Sequence, residues 1–163
     1  RLGRQAALRY VHELAEHADW TRRTRAAGVD GSAPLTQAMA ALRRVARPGS
    51  LVVVLSDFLD FSRAAQSYLS SVARHNEVLA VFLSDPLERR LPPPGRYRLV
   101  SRDDELAIDT VSRSARRDYE TSFDTRAQEL EAFCQRYGIH LMPMSTEDDP
   151  VAALQAALRR GTN

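Results

Sequence analysis

Two stretches of the chain are almost wholly apolar, residues 51–55 and 78–83, and each runs out into Ser-Asp: Ser56-Asp57 and Ser84-Asp85. A short apolar run bounded by turn residues reads as a strand buried on both faces, so strands are expected at 51–56 and 77–84. A third is expected within 139–145 (IHLMPMS). Pro143 confines it to a sheet edge, because proline brings no N–H to a central ladder. The pairs YRLVS (97–101) and ELAIDTV (105–111) flank Arg102-Asp103-Asp104 and read as a small hairpin.

Helical spacing fills the intervals between these strands. Ala7, Val11, Leu14 and Ala18 mark a first amphipathic helix over 2–18, followed by a polar, glycine-containing loop over 20–33. Leu35, Met39, Leu42 and Ala46 form one stripe of a second helix that starts at Pro34, a residue suited to a first helical turn. Ser62 is placed to cap a helix over 63–75 with Ala65, Leu69 and Val72 inward. A long helix over 114–137 turns Tyr119, Phe123, Ala127, Leu130, Cys134 and Tyr137 inward and stops at Gly138. Asp149-Pro150 opens a last helix with Val151, Leu154 and Leu158. The segment PLERRLPPPGR (86–96) is expected to be neither helix nor central strand, since its prolines fix φ and remove donors.

Strands that alternate with helices pair in parallel through right-handed crossovers. The expected class is therefore α/β, a three-layer α-β-α sandwich with a doubly wound, mostly parallel sheet and a hairpin insertion. Residues 1–163 are read as one domain, with 86–113 as a proline-rich connection and hairpin. In such sheets all carboxyl ends lie on one edge, and ligands bind outside that edge. Ser56, Asp57, Asp60, Asp85 and Thr146 are thus expected along a common rim. Their oxygens are donors of the type that suits Mg²⁺ or Ca²⁺ rather than zinc. The competing reading is local: Ser-Asp after a strand turns the chain and caps the next helix. For Asp57 that reading is weak, because Ser62 already holds the capping position.

Composition removes several functions. All 23 basic residues are arginine and lysine is absent, while 21 acidic residues leave a net charge of +2, too little to argue for nucleic acid. Phosphoacceptor and phosphatase folds that end a strand in aspartate use a lysine, for which arginine is no equivalent point charge. No glycine-rich phosphate loop, Gly-x-Ser-x-Gly elbow or zinc spacing occurs. The single Cys134 excludes an internal disulfide and suits a reducing compartment, so a cytoplasmic segment is expected. No apolar run reaches the ~18 residues of a membrane span. Arg89, Arg90, Arg96 and Arg98 beside the proline run make a candidate recognition surface for an acidic partner.

GSLVVVLSDFLD, HNEVLAVFLSDPLERRLPPPG and GIHLMPMSTEDDP, in that order and spacing, resemble the C-terminal part of the domain-of-unknown-function 58 (DUF58) family. The resemblance covers nearly the whole chain. It implies a von Willebrand factor A-like domain with a metal-ion-dependent adhesion-type site, and a MoxR-type AAA+ ATPase as partner. Asp57 matches the third-loop aspartate of such sites. In the second loop, Gly31, Ser32, Ala33, Pro34 and Leu35 occupy the place of Gly-Gly-Thr-Asp-Leu, so alanine stands where threonine is expected and Ser32 is the nearest substitute. Thr36 follows, within the helix and facing solvent. The first loop, Asp-x-Ser-x-Ser, does not occur in these residues. The expected metal set is then Asp57 and Ser32, incomplete, with Mg²⁺ held in a longer parent protein and not tightly by this segment.

The resemblance also implies that the strand beside 51–56 would precede Arg1, which leaves an apolar sheet edge open to self-association. The function expected is protein binding without catalysis. Its competitor is a metal-dependent hydrolase, a nuclease or phosphatase, using Asp57 and Asp85 as paired carboxylates.

Overall fold

In the computed structural model the chain parts at Pro34, and the account that follows concerns the second unit, Leu35–Asn163. Backbone is described for residues 34–100 and 105–160. The helix over 2–18, the loop over 20–33 and Ser32 lie outside the described residues. The observed order is α1 (Pro34–Val45), β1 (Leu51–Ser56), α2 (Arg63–Ala73), β2 (Glu77–Ser84), α3 (Pro86–Arg89), β3 (Arg96–Val100), β4 (Glu105–Asp109), α4 (Arg113–Tyr137), β5 (His140–Ser145) and α5 (Pro150–Arg160).

The architecture is mixed α/β, as the alternation of elements requires. β1, β2 and β5 form a parallel sheet in the order β1-β2-β5, and β3 with β4 forms a separate antiparallel hairpin. Among the described strands β5 lies at the sheet edge, where Pro143 costs no ladder bond. The starts of β1 and β2 are pinned together. Gly49, at φ 79, donates its N–H to the His75 carbonyl at 2.7 Å, and Ser50 N–H reaches Asn76 Oδ1 at 3.0 Å.

One face of this sheet carries the core. Val52 and Val54 pair in register with Val78 and Ala80, and Phe82 continues the same face. Met39 of α1, Ala65, Leu69 and Val72 of α2, and Phe123, Leu130 and Cys134 of α4 close over them in one buried cluster. Burial of these side chains, each stabilising by about 1.5–3 kcal/mol if fully withdrawn from water, is what holds the layers together. On the opposite face Val81 and Met142 are buried, and α5 packs against β5.

The expectation that 51–56 is buried on both faces is overturned. Only Val52 and Val54 are buried, whereas Leu51, Val53 and Leu55 are 65%, 47% and 63% exposed. An apolar run shows that a strand can be covered twice, and among the described residues only one face of β1 is buried. Two further corrections concern residues 86–137. Pro86–Arg89 does form one helical turn, because Asp85 supplies a full capping box and proline sits in the first turn, where its missing N–H costs nothing. Tyr119 and Tyr137 of α4 are 38% and 36% exposed, not inward. The Tyr119 hydroxyl instead donates to the Leu87 carbonyl at 3.1 Å, tying α4 to α3.

Candidate functional site

Parallel pairing carries the ends of β1, β2 and β5 to one edge of the sheet. The register sets Ser84 beside Ser145 and Ser56 beside Phe82, so β2 reaches two residues beyond β1. The ladder continues past the strands, with Thr146 N–H donating to the Ser84 carbonyl at 3.0 Å. Ser56, Asp57, Asp60, Asp85 and Thr146 therefore all follow the carboxyl ends of adjacent strands.

At the β1 end the chain turns sharply. Asp57 Oδ1 accepts from Leu59 N–H at 3.2 Å, and Ser56 Oγ accepts from Phe58 N–H at 3.0 Å. Between them Phe58 adopts φ 51, a left-handed conformation that costs an aromatic L-residue roughly 1–2 kcal/mol. The ring repays it: Phe58 is 1% exposed and packs edge-on against Phe61 at 5.3 Å and Phe82 at 6.4 Å. This turn lifts Asp57 and Asp60 out of the core, where both are exposed. It also frees Ser62 to cap α2, its Oγ accepting from Ala65 N–H at 3.2 Å. The same hydroxyl lies 2.8 Å from Thr36 Oγ1, so the half-buried Thr36 is tied to the cap of α2. A threonine early in α1 and a serine capping α2 are unremarkable separately, and only the fold brings them together.

Asp85 behaves differently from Asp57. Its Oδ1 accepts from Leu87 N–H at 2.8 Å and its Oδ2 accepts from the Thr146 hydroxyl at 2.9 Å. Glu88 completes the cap, with Oε1 on Asp85 N–H at 3.3 Å and Oε2 against Arg126 Nη2 at 3.1 Å. Arg126 in turn lies over Phe123 at 5.3 Å and Phe82 at 5.8 Å. Its part in this network was not visible in the sequence, where it is one arginine among many. Asp85 and Thr146 are thus joined as a clamp between β2 and β5, and both carboxylate oxygens of Asp85 are in use.

Of the expected metal set, Asp57 is described and Ser32 is not. No group of three or more His, Cys, Asp or Glu side chains gathers among the described residues. Asp57 Oδ1 is held by Leu59 N–H and lies 3.4 Å from Ser56 Oγ. Each oxygen of Asp85 accepts one hydrogen bond, from Leu87 N–H and from the Thr146 hydroxyl.

The arginine surface is divided. Arg89 and Arg90 border a cleft of about 450 Å³ with Pro86, Glu120 and Asp124. Arg90 lies 3.8 Å from Glu120, and Arg96 lies 3.9 Å from Asp109, its cross-strand neighbour. Arg98 is two residues along β3. The surface expected to meet an acidic partner thus carries both signs of charge.

Cys134 is buried at 1% exposure in the core, and burial, with Glu131 adding to it, pushes its thiol up to about 11. It is a packing residue, not a nucleophile.

No helix among the described residues is long and apolar enough to cross a membrane. Neither the curated proteins nor the solved structures yield a match to this chain. A family model described as "Protein of unknown function DUF58" matches residues 1–129.

Proposed function

The chain belongs to the DUF58 family, and from that premise we propose that it is a non-enzymatic protein-binding module that docks its partner at the carboxyl rim of the parallel sheet. The observation that carries this reading is the turn after β1. It spends backbone strain at Phe58 to hold Asp57 and Asp60 out in solvent, while capping of α2 is left to Ser62. The strained residue lies between these carboxylates and the core, and strained backbone clusters at functional sites.

On this reading the scaffold is von Willebrand factor A-like and the partner is a MoxR-type AAA+ ATPase. The exposed pair Asp57 and Asp60 meets basic groups of that partner. Arg89, Arg90, Arg96 and Arg98 form a second contact surface, and its mixed sign favours a partner with alternating charge over a uniformly acidic one. Asp85 and Thr146 keep the rim in shape, their hydrogen bond joining the ends of β2 and β5. Docking uses the carboxylates directly and does not require a bound cation.

The test is calorimetric titration of the chain with a MoxR-type ATPase, with and without Mg²⁺. Asp57→Ala with Asp60→Ala is expected to weaken binding at least tenfold, while heats with Mg²⁺ alone are the same for the native and Asp57→Ala chains. Undiminished ATPase binding by the double variant would overturn the rim as the docking site. Mg²⁺ heats lost only in Asp57→Ala would restore a metal site.

A further inference from the structure

We propose that the N-terminal half of α4 pairs two copies of this chain, antiparallel, each copy laying Arg113 and Arg117 against Asp124 and Glu120 of the other. The inference is independent of the docking reading, whose test turns on Asp57 and Asp60. It concerns a surface away from β1, since α4 packs on α3 and β5, and β5 lies at the other end of the described sheet.

α4 is longer than the core it covers. Its 25 residues span about 37 Å, yet its buried residues are Phe123, Leu130 and Cys134, and none of residues 113–122 is buried. That arm carries its charges in an order that a lone helix does not favour. Arg113, Arg116 and Arg117 crowd the start, and no acidic residue stands in the first turn to offset the positive end of the helix dipole. Along one face, Arg113 and Arg117 lie four residues apart, and further on so do Glu120 and Asp124. Like charges at that spacing repel. Both repulsions fall on the same stripe, cationic at one end and anionic at the other.

A second copy of the stripe, run antiparallel, answers both repulsions. With the two-fold axis between Asp118 and Tyr119, Arg113 falls opposite Asp124 and Arg117 opposite Glu120, and each pairing is made twice. A parallel copy would set like charge against like. Self-complementarity of this kind is what a two-fold interface requires. The receiving end is already shaped, because Glu120 and Asp124 line the cleft of about 450 Å³ whose other wall is Pro86, Arg89 and Arg90. Among the described residues Arg113, Arg117 and Asp124 form no ion pair, and Glu120 reaches Arg90 only at 3.8 Å on the surface. An arginine of the second copy entering the cleft therefore meets carboxylates that are available. The overlap, residues 113–124, is only about 18 Å long. Association is thus expected to be weak, with a Kd of about 10–500 μM, and to weaken further with salt.

The experiment is sedimentation of the whole chain up to about 1 mM, at low and high salt, joined to cysteine cross-linking. A reversible dimer is expected, weakened at least tenfold by about 0.5 M NaCl. Arg113→Glu and Asp124→Arg should each weaken association at least tenfold. An equimolar mixture of the two variants should restore it, as should both changes in one chain, which separates lost pairing from lost folding. Facing helices lie about 8–10 Å apart, whereas the two copies of residue 113 are set a further distance of about 16 Å along the axis. A short bis-maleimide is therefore expected to join Arg113→Cys to Asp124→Cys and to join neither variant to itself. Native Cys134 is buried and provides the unreactive background. A monomer at every concentration overturns the proposal. So does a dimer that both single charge reversals leave intact, a pair of reversals that fails to restore association, or Arg113→Cys cross-linking with itself.

Discussion

Phe58 shows how a single residue couples core and rim. Its backbone sits at φ 51 and its ring is almost fully buried among Phe61 and Phe82. Phe58→Ala is expected to destabilise the fold by about 3–5 kcal/mol in urea titration, the usual cost of emptying an aromatic site. Glycine ordinarily costs about 1 kcal/mol more than alanine through chain entropy. At this position it also relieves the left-handed strain, so Phe58→Gly should match Phe58→Ala to within about 1 kcal/mol. A glycine variant clearly less stable than the alanine one would mean that the turn is not strained. Cys134 offers a second test at this scale. Its thiol ionises at about 11 in the fold, against 9.0 for a free group. The unfolded chain therefore loses its proton first as pH rises. Stability should be unaffected below about pH 9 and fall between about 9 and 11 by up to about 3 kcal/mol, an effect that Cys134→Ala removes from the pH profile.

Among the elements, those with strong local signals were legible. β1 and β2 were bounded to the residue, Ser62 and Gly138 were correctly read as cap and stop, and Asp149 accepts from Val151 and Ala152 N–H as a cap should. Ser62→Ala should therefore cost about 1 kcal/mol, with the loss appearing in the helical signal of a thermal melt. What the sequence did not show follows from how each signal arises. Apolar content does not reveal how many faces of a strand are covered, so the exposed positions of β1 were missed. The prolines of 86–96 obscured a helical turn that Asp85 and Glu88 build between them. Tyr119 and Tyr137 fit the apolar stripe of α4 by spacing, but a hydroxyl favours the boundary with water, and Tyr119 found the Leu87 carbonyl. The rim was legible in outline because parallel strands must end together. The Asp85–Thr146 and Thr36–Ser62 contacts were not, since they join residues 61 and 26 positions apart.

At the scale of the whole unit, the two sheets differ in what secures them. β2 is paired on both sides, with Val78 and Ala80 fully buried, while β3 and β4 pair only with each other among the described strands. The hairpin is fastened at its base by Thr110, which is 1% exposed. Thr110 Oγ1 accepts from Gly95 N–H at 3.1 Å, and its hydroxyl proton can go to the Pro93 carbonyl at 2.9 Å or the Gly95 carbonyl at 3.1 Å. Thr110 N–H binds the Gly95 carbonyl as well, at 2.9 Å. Valine would keep the shape and remove the hydroxyl, leaving Gly95 N–H without its acceptor while the Pro93 carbonyl keeps the Tyr97 hydroxyl, at a cost of about 1–3 kcal/mol. Because that loss falls on the clasp, local opening of the hairpin should become easier while global unfolding changes little. In native-state hydrogen exchange, Thr110→Val is expected to speed the amides of β3 and β4 by about 5- to 150-fold and leave those of β2 at the native rate. Equal acceleration of β2 would show instead that hairpin and parallel sheet unfold as one cooperative body, and the arginines of β3 could then not be repositioned without disturbing the rim.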